Sequence, residues 1–274
     1  MRAIIRGAAF TLVFMLAFAF CASAEDAFLP SFTQSLPNLD EIQGLTEGTL
    51  SSGTETASPV VGEIVCFGMY EQDANTPGEK TPIEWVVLDK AEGKLLLLAK
   101  RGLETGAYNS KKKRATWAEC SLRAWLNDTF FQEAFSPMER TCILSTTVVT
   151  PSGCFVSPAT GETIEIAASG DTQDRVFLLN VNEVETYFPE ESQRMVPNNS
   201  YLFNKPMESL PYPAENTGDD YAYGNWWLRD VRADKGVSCV FHVKSYGRLA
   251  SAAQINLKRY VIRPAMWVDE VFFE

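Results

Sequence analysis

Residues 224–232 read Gly-Asn-Trp-Trp-Leu-Arg-Asp-Val-Arg, with two tryptophans side by side and an arginine two positions on. Neighbouring side chains of a strand point to opposite faces. If this stretch is extended, Trp226 and Trp227 cannot share a face. One must seal a core while the other lies against a helix or beneath a loop. Each indole buries on the order of 200 Å², so a short strand of this kind anchors a sheet covered on both sides. A second arginine–tryptophan segment, Arg263-Pro264-Ala265-Met266-Trp267, closes the chain. Both arginines read as ion-pairing groups that hold sheet to loops, with ligand contact by Arg229 as the alternative.

Working outward, strand and helix signals alternate. Residues 63–70 (EIVCFGMY), 83–89 (IEWVVLD) and 94–100 (KLLLLAK) are short apolar runs bounded by turn residues. The two-residue junction Glu92-Gly93 predicts a hairpin between the second and third. Thr116 with Glu119 has the spacing of a capping box. Leu122, Trp125, Leu126 and Phe130 follow at helical spacing and are expected in the core, with Asn127-Asp128 weakening the helix end. Ser136-Pro137-Met138-Glu139 marks a second helix start, and Asn180 with Glu183 a third. Residues 176–180 (VFLLN) read as a buried strand. In the last quarter, residues 226–229, 237–243, 249–255 and 260–268 read as strands. The fold class is therefore α+β, with a mixed, mainly antiparallel sheet and a few short helices.

The chain opens with Arg2 and Arg6, an apolar run over about residues 8–20, and Ala22-Ser23-Ala24. This is the pattern of a secretory signal peptide cleaved after residue 24, and the apolar run is shorter than the ~20 residues that span a bilayer. Residues 25–59, rich in Gly, Ser and Thr, read as a flexible leader, and 60–274 as a single α+β domain. A secreted or cell-surface location follows, with no membrane span in the mature chain. The formal charge is −11, from 24 basic and 35 acidic residues. Removing residues 1–24 takes away two arginines, leaving 22 against 35. Such an excess argues against nucleic acid as a partner. The one basic run, 111–114, reads as a solvated loop.

Five cysteines remain beyond Cys21, an odd number. Cys142 and Cys154 are the closest pair and the candidate disulfide, against a reading of buried free thiols. His242 is the sole histidine, so any histidine-dependent zinc site or nucleophile–base pair must pass through it. It stands on a strand pattern without a surrounding motif. Cys120 reads as a core thiol, with activation at a helix start as the alternative. Residues 161–171 carry glycines without the lysine of a phosphate loop. No cofactor and no metal are expected, although Glu215, Asn216, Asp219 and Asp220 supply the oxygen chemistry that calcium prefers.

The ordered set GEIVCFGMYEQD, PIEWVVLD, TWAECSLRAWLN, DRVFLLN, WWLR and VIRPAMW resembles an uncharacterised domain family of secreted and cell-surface bacterial proteins, a domain of unknown function common in anaerobic gut bacteria. The likeness runs over about 60–270. The chain departs from that family at Asp230-Val231, where Ser-Pro is more usual, and in a longer insertion at 205–220. The Trp-Trp-Leu-Arg and Arg-Pro-Ala segments also resemble bacterial modules of the C-type-lectin-like fold. The family implies no activity and supplies no catalytic residue.

The expected function is a non-catalytic extracellular binding or interaction module for a carbohydrate or surface protein. The contact surface is placed on the 205–225 loop, at Tyr212, Asp219, Asp220, Tyr221 and Tyr223, with Arg229 as a further contact. Tyrosines beside carboxylates suit sugars, whose faces stack on rings while hydroxyls meet polar groups. The rivals are an extracellular hydrolase using acidic pairs that include Asp219 or Asp220, and a purely structural surface component.

Overall fold

The computed structural model describes residues 58–111, 114–198, 202 and 223–274. Residues 25–57 of the leader, most of the 205–225 loop and the first 24 residues lie outside these. Ser58–Glu274 form one unit by their internal contacts.

Three strands come first: β1 (Ile64–Glu71), β2 (Lys80–Ala91) and β3 (Lys94–Ala99). The β2–β3 junction is the expected hairpin, pairing Ala91 with Lys94. Its two turn residues, Glu92 and Gly93, both have positive φ (53° and 75°), as a turn that follows the twist of the strands demands. The short β4 (Glu104–Gly106) comes next.

The helical stretch departs from expectation at its start. Thr116 makes no cap bond, and a 3-10 turn occupies Trp117–Glu119. The helix α1 (Ser121–Trp125) begins one turn later, where the Cys120 sulfur accepts from the Arg123 amide. Nor does Asn127 end the helix. A π-helical turn spans Leu126–Phe130 and runs into α2 (Phe131–Ala134). Asn127 instead ties the stretch to residues 175–176, donating to Val176 O at 2.8 Å and accepting from the amides of Arg175 and Val176. Then follow α3 (Pro137–Cys142), β5 (Thr146–Thr150), β6 (Gly153–Val156), β7 (Thr163–Ile166), β8 (Ser169–Asp174), α4 (Val181–Tyr187) and α5 (Glu191–Arg194). The capping boxes of α3 and α4 form as the sequence indicates, with Ser136–Glu139 and Asn180–Glu183 each bonding reciprocally. The 176–180 run is buried, but it makes only one bridge, Phe177 to Ala265, and is no strand.

The chain ends in β9 (Trp226–Val231), β10 (Cys239–Val243), β11 (Leu249–Gln254), β12 (Tyr260–Ile262) and β13 (Ala265–Asp269). One sheet has the order β1-β2-β3-β13 and a second β11-β10-β9-β12-β4, with two-stranded ribbons β5-β8 and β6-β7 beside them. Among the described residues, every pairing of these strands is antiparallel except β9 with β12.

Residues 260–268, expected as one strand, are two. Arg263-Pro264 breaks them, because proline has no amide to give a ladder. β12 lies in the second sheet and β13 in the first, so this corner joins the two. Arg263 sits buried inside it, its guanidinium 5.0 Å from the Trp226 ring and 5.5 Å from Phe188, with Nε donating to Ala99 O. Burial lowers its pKa to about 9.

Trp226 and Trp227 behave as alternation requires. Both are fully buried, as is the whole of β9. Trp226 donates to Arg194 O and meets Arg263, whereas Trp227 donates to Gly106 O and stacks on Tyr260 at 4.0 Å. β9 is thus the inner strand of a sheet covered on both faces.

Cys120, Cys142, Cys154 and Cys239 carry free thiols. The proposed Cys142–Cys154 bridge is therefore not made, and Cys154 is exposed rather than buried.

Candidate functional site

Arg229 is where the expected contacts and the structure part. It is 2% exposed. A guanidinium has five N–H donors, and here Nε donates to Thr150 Oγ1, Nη1 to Leu178 O and Glu183 Oε2, and Nη2 to Val149 O and Glu183 Oε1. No donor is left for a ligand. Its role is the architectural one, tying β9 to the α4 cap and to β5. Asp230 follows and accepts from the Val181 amide at 2.7 Å. Burial pushes its carboxyl up to about 6, against that bond and the Arg229 charge.

Tyr223 is 36% exposed and its backbone bridges Pro197. It stands where the loop enters the buried strand. Asn225 fixes this root, since its carbonyl accepts from Val261 N and its side chain from Ser245 N, both at 2.7 Å. Tyr212, Asp219, Asp220 and Tyr221 lie outside the described residues, as does the oxygen-rich 215–220 group. Among the described residues no cluster of three or more His, Cys, Asp or Glu is placed to hold a metal ion, and no helix is long and apolar enough to cross a membrane.

His242 and Cys120, the histidine and thiol the sequence singled out, are both sealed. His242 is 4% exposed, edge-on to Trp227 and Tyr260, and burial lowers its pKa to about 4. The ring is neutral at physiological pH. Cys120 is a core thiol, pushed up to about 12 by burial. It is the opposite of an activated nucleophile.

What stands open is a groove of about 780 Å³ that sequence reasoning did not identify. One wall is a single helical face: Ser121, Leu122, Trp125, Thr129 and Glu133. The opposite wall is the β4 edge with Ile262 of β12, and Lys258 stands beside it. Tyr70, Glu71 and Lys80 of the first sheet also line the groove. The helical stretch is rigidly mounted. Arg123 pairs with the buried Asp174 at 2.6 Å, Asp174 also accepts from Trp117 Nε1, and Phe130 and Phe135 pack on Tyr70, Phe67 and Trp85. Lys80 donates to Glu133 O at 2.6 Å, tying β2 to the end of α2.

The π turn explains how five residues spaced mostly by four share one face. In an α-helix of 3.6 residues per turn, steps of four drift by about 40° each. A turn closed by i→i+5 bonds is wider, with about four residues or more per turn, and removes most of that drift. Trp125, Thr129 and Glu133 consequently stay aligned along the groove.

Trp125 was expected in the core, and its spacing justified that. It is only partly buried, held on one side by Phe130 at 5.4 Å. The signal that distinguishes it is polar rather than periodic. Four fully buried tryptophans each donate the indole N–H within the chain, Trp85 to Phe67 O, Trp117 to Asp174, Trp226 to Arg194 O and Trp227 to Gly106 O. Trp125 makes no such bond among the described residues.

A family model for a domain of unknown function, DUF6273, matches residues 92–270. It begins after the first two of the segments that suggested a family, and includes the remaining four. No curated protein and no solved structure matches the chain, so the C-type-lectin-like resemblance gains no support there. The architecture itself is α+β, with mostly antiparallel sheets and a few short helices. With well over half its length matched, the chain belongs to DUF6273.

Proposed function

We propose that the chain is an exported, non-catalytic binding module whose ligand, a glycan or a surface protein, seats in the groove between the α1–α2 face and β4. The supporting observation is the groove itself. It is a concave, partly apolar space with convergent polar groups on a rigid frame, which is the usual form of a ligand site. The amino-terminal pattern of Arg2, Arg6, the 8–20 apolar run and Ala22-Ser23-Ala24 supports export. The 205–225 loop with its tyrosines and aspartates remains the second contact element of this reading.

The test compares wild type with Trp125→Ala on a glycan array and on purified bacterial and host surface proteins, with thermal melts as the folding control. Trp125→Ala is expected to lose a ligand that wild type retains while melting cooperatively. Equal binding by both removes the groove as the contact site. Turnover of a bound glycan makes the chain an enzyme and ends the reading as a binding module.

A further inference from the structure

We infer that the groove takes a neutral oligosaccharide, read by the Trp125 face and by the hydroxyl of Thr105. This rests on the groove being the ligand site and adds the class of ligand.

Three features of the lining select that class. The first is the ring. Trp125 is backed by Phe130 and flanked by Leu122, with Ile262 on the opposite wall, so a flat apolar platform lies inside a cleft rimmed by polar groups. A pyranose presents such a pair of surfaces, with C–H groups on its faces and hydroxyls around its rim.

The second is Thr105. Its Oγ1 is a buried atom with no hydrogen-bond partner, and Thr105 lines the groove. A buried hydroxyl left unpaired destabilises the fold, and a ligand that pairs it removes that cost. It both donates and accepts, which suits a sugar hydroxyl equally able to do either. The backbone beside it is not open to a peptide strand. The Thr105 amide donates to Glu104 Oε1 at 2.7 Å, so the β4 edge is blunted by its own neighbour.

The third is charge. The lining holds three glutamates (Glu71, Glu104, Glu133) and two lysines (Lys80, Lys258), a near balance with a slight acidic excess. The chain as a whole carries −11. A polyanion such as an acidic polysaccharide is repelled at long range, and the cations among the described lining residues are Lys80 and Lys258, against three glutamates. The carboxylates and ammoniums of the lining instead accept from and donate to uncharged hydroxyls.

The experiment uses the full chain and defined probes, tri- to hexasaccharides of β-linked glucose, mannose, xylose and N-acetylglucosamine, with oligogalacturonate as the acidic control. Binding is read by calorimetry and by indole fluorescence. At least one neutral series is expected to bind and to perturb the fluorescence, and Trp125→Ala to weaken it by about tenfold or more. Thr105→Val is the second variant. It keeps the shape and removes the unpaired hydroxyl, so affinity should fall several-fold while the melting temperature is unchanged or higher. Binding of the acidic control in preference to every neutral series overturns the proposal. So does neutral binding that neither substitution alters. If Trp125→Ala loses a protein ligand but no sugar binds, the ligand class fails while the groove stands. If the variant loses nothing, the groove reading itself has failed.

Discussion

At the scale of single residues, the guanidiniums of β9 and of the β12–β13 corner show how differently a buried cation can be held. Arg229 has a bidentate carboxylate and three further acceptors, whereas Arg263 has Ala99 O, two aromatic faces and an Nη1 with no partner. Lysine cannot reproduce either arrangement, since it offers three donors from one point rather than a planar fork. Arg229→Lys is expected to lose about 2–4 kcal/mol, because Glu183, Thr150 and two carbonyls then share fewer donors. Urea denaturation monitored by tryptophan fluorescence measures this. Glu183→Gln should cost less, since the amide can still accept one bond from Arg229 and one from the Asn180 amide. A loss from Arg229→Lys no larger than that from an exposed lysine substitution would show the network to be slack. The Arg–carboxylate tie was legible in the arginine's place beside the tryptophans; its partner was not. Glu183 announces itself in the sequence only as a capping residue, and one carboxylate serving both cap and ion pair leaves no separate mark.

At the scale of elements, the sequence is most readable where a short local pattern fixes the outcome. The β2–β3 hairpin and the Ser136 and Asn180 caps are of this kind. It is least readable where a distant partner decides. Thr116 and Glu119 have the right spacing for a cap, yet Trp117 is drawn to Asp174 and the helix starts later, on Cys120. The β5–β8 and β6–β7 ribbons went unrecognised because their residues are polar and pair across turns without a strong apolar run. The groove was hidden for the same reason, since Trp125 has the period of a core residue and only the π turn aligns it with Thr129 and Glu133. The crossing of β12 with the β4 approach shows how tight such distant packing is. A methyl group at Gly102 would lie 2.2 Å from Val261 Cγ1, with its next neighbours at 3.5 Å. Gly102→Ala should therefore cost about 1–3 kcal/mol by overpacking. Combined with Val261→Ala, which removes the offending methyl, the loss should be less than the sum of the two single losses. A double-mutant cycle by chemical denaturation gives the coupling directly. Additive losses would mean that the backbone yields and the two residues do not truly oppose one another.

At the scale of the whole molecule, two buried titratable groups set opposite dependences of stability on pH. Asp230 binds its proton more tightly folded, at about 6 against an ordinary 3.8, chiefly through burial. Its contribution is fully present below 3.8 and is lost as pH rises through 6, a change on the order of 3 kcal/mol. His242 binds its proton less tightly folded, at about 4 against 6.5, again through burial. Its contribution is present above 6.5 and is lost as pH falls through 4, also on the order of 3 kcal/mol. Between pH 4 and 6.5 these slopes oppose and largely offset each other, so the wild-type contribution from the pair is nearly flat. Single substitutions separate them. Asp230→Asn keeps an acceptor for the Val181 amide and leaves only the histidine, so stability should fall on acidification from pH 6.5 to 4. His242→Phe keeps a ring between Trp227 and Tyr260 and leaves only the aspartate, so stability should rise over the same interval. Urea midpoints at several pH values across that range give three curves, one nearly level and two of opposite slope. Parallel curves for all three proteins would mean that neither group is as deeply shielded from water as β9 and β10 place it.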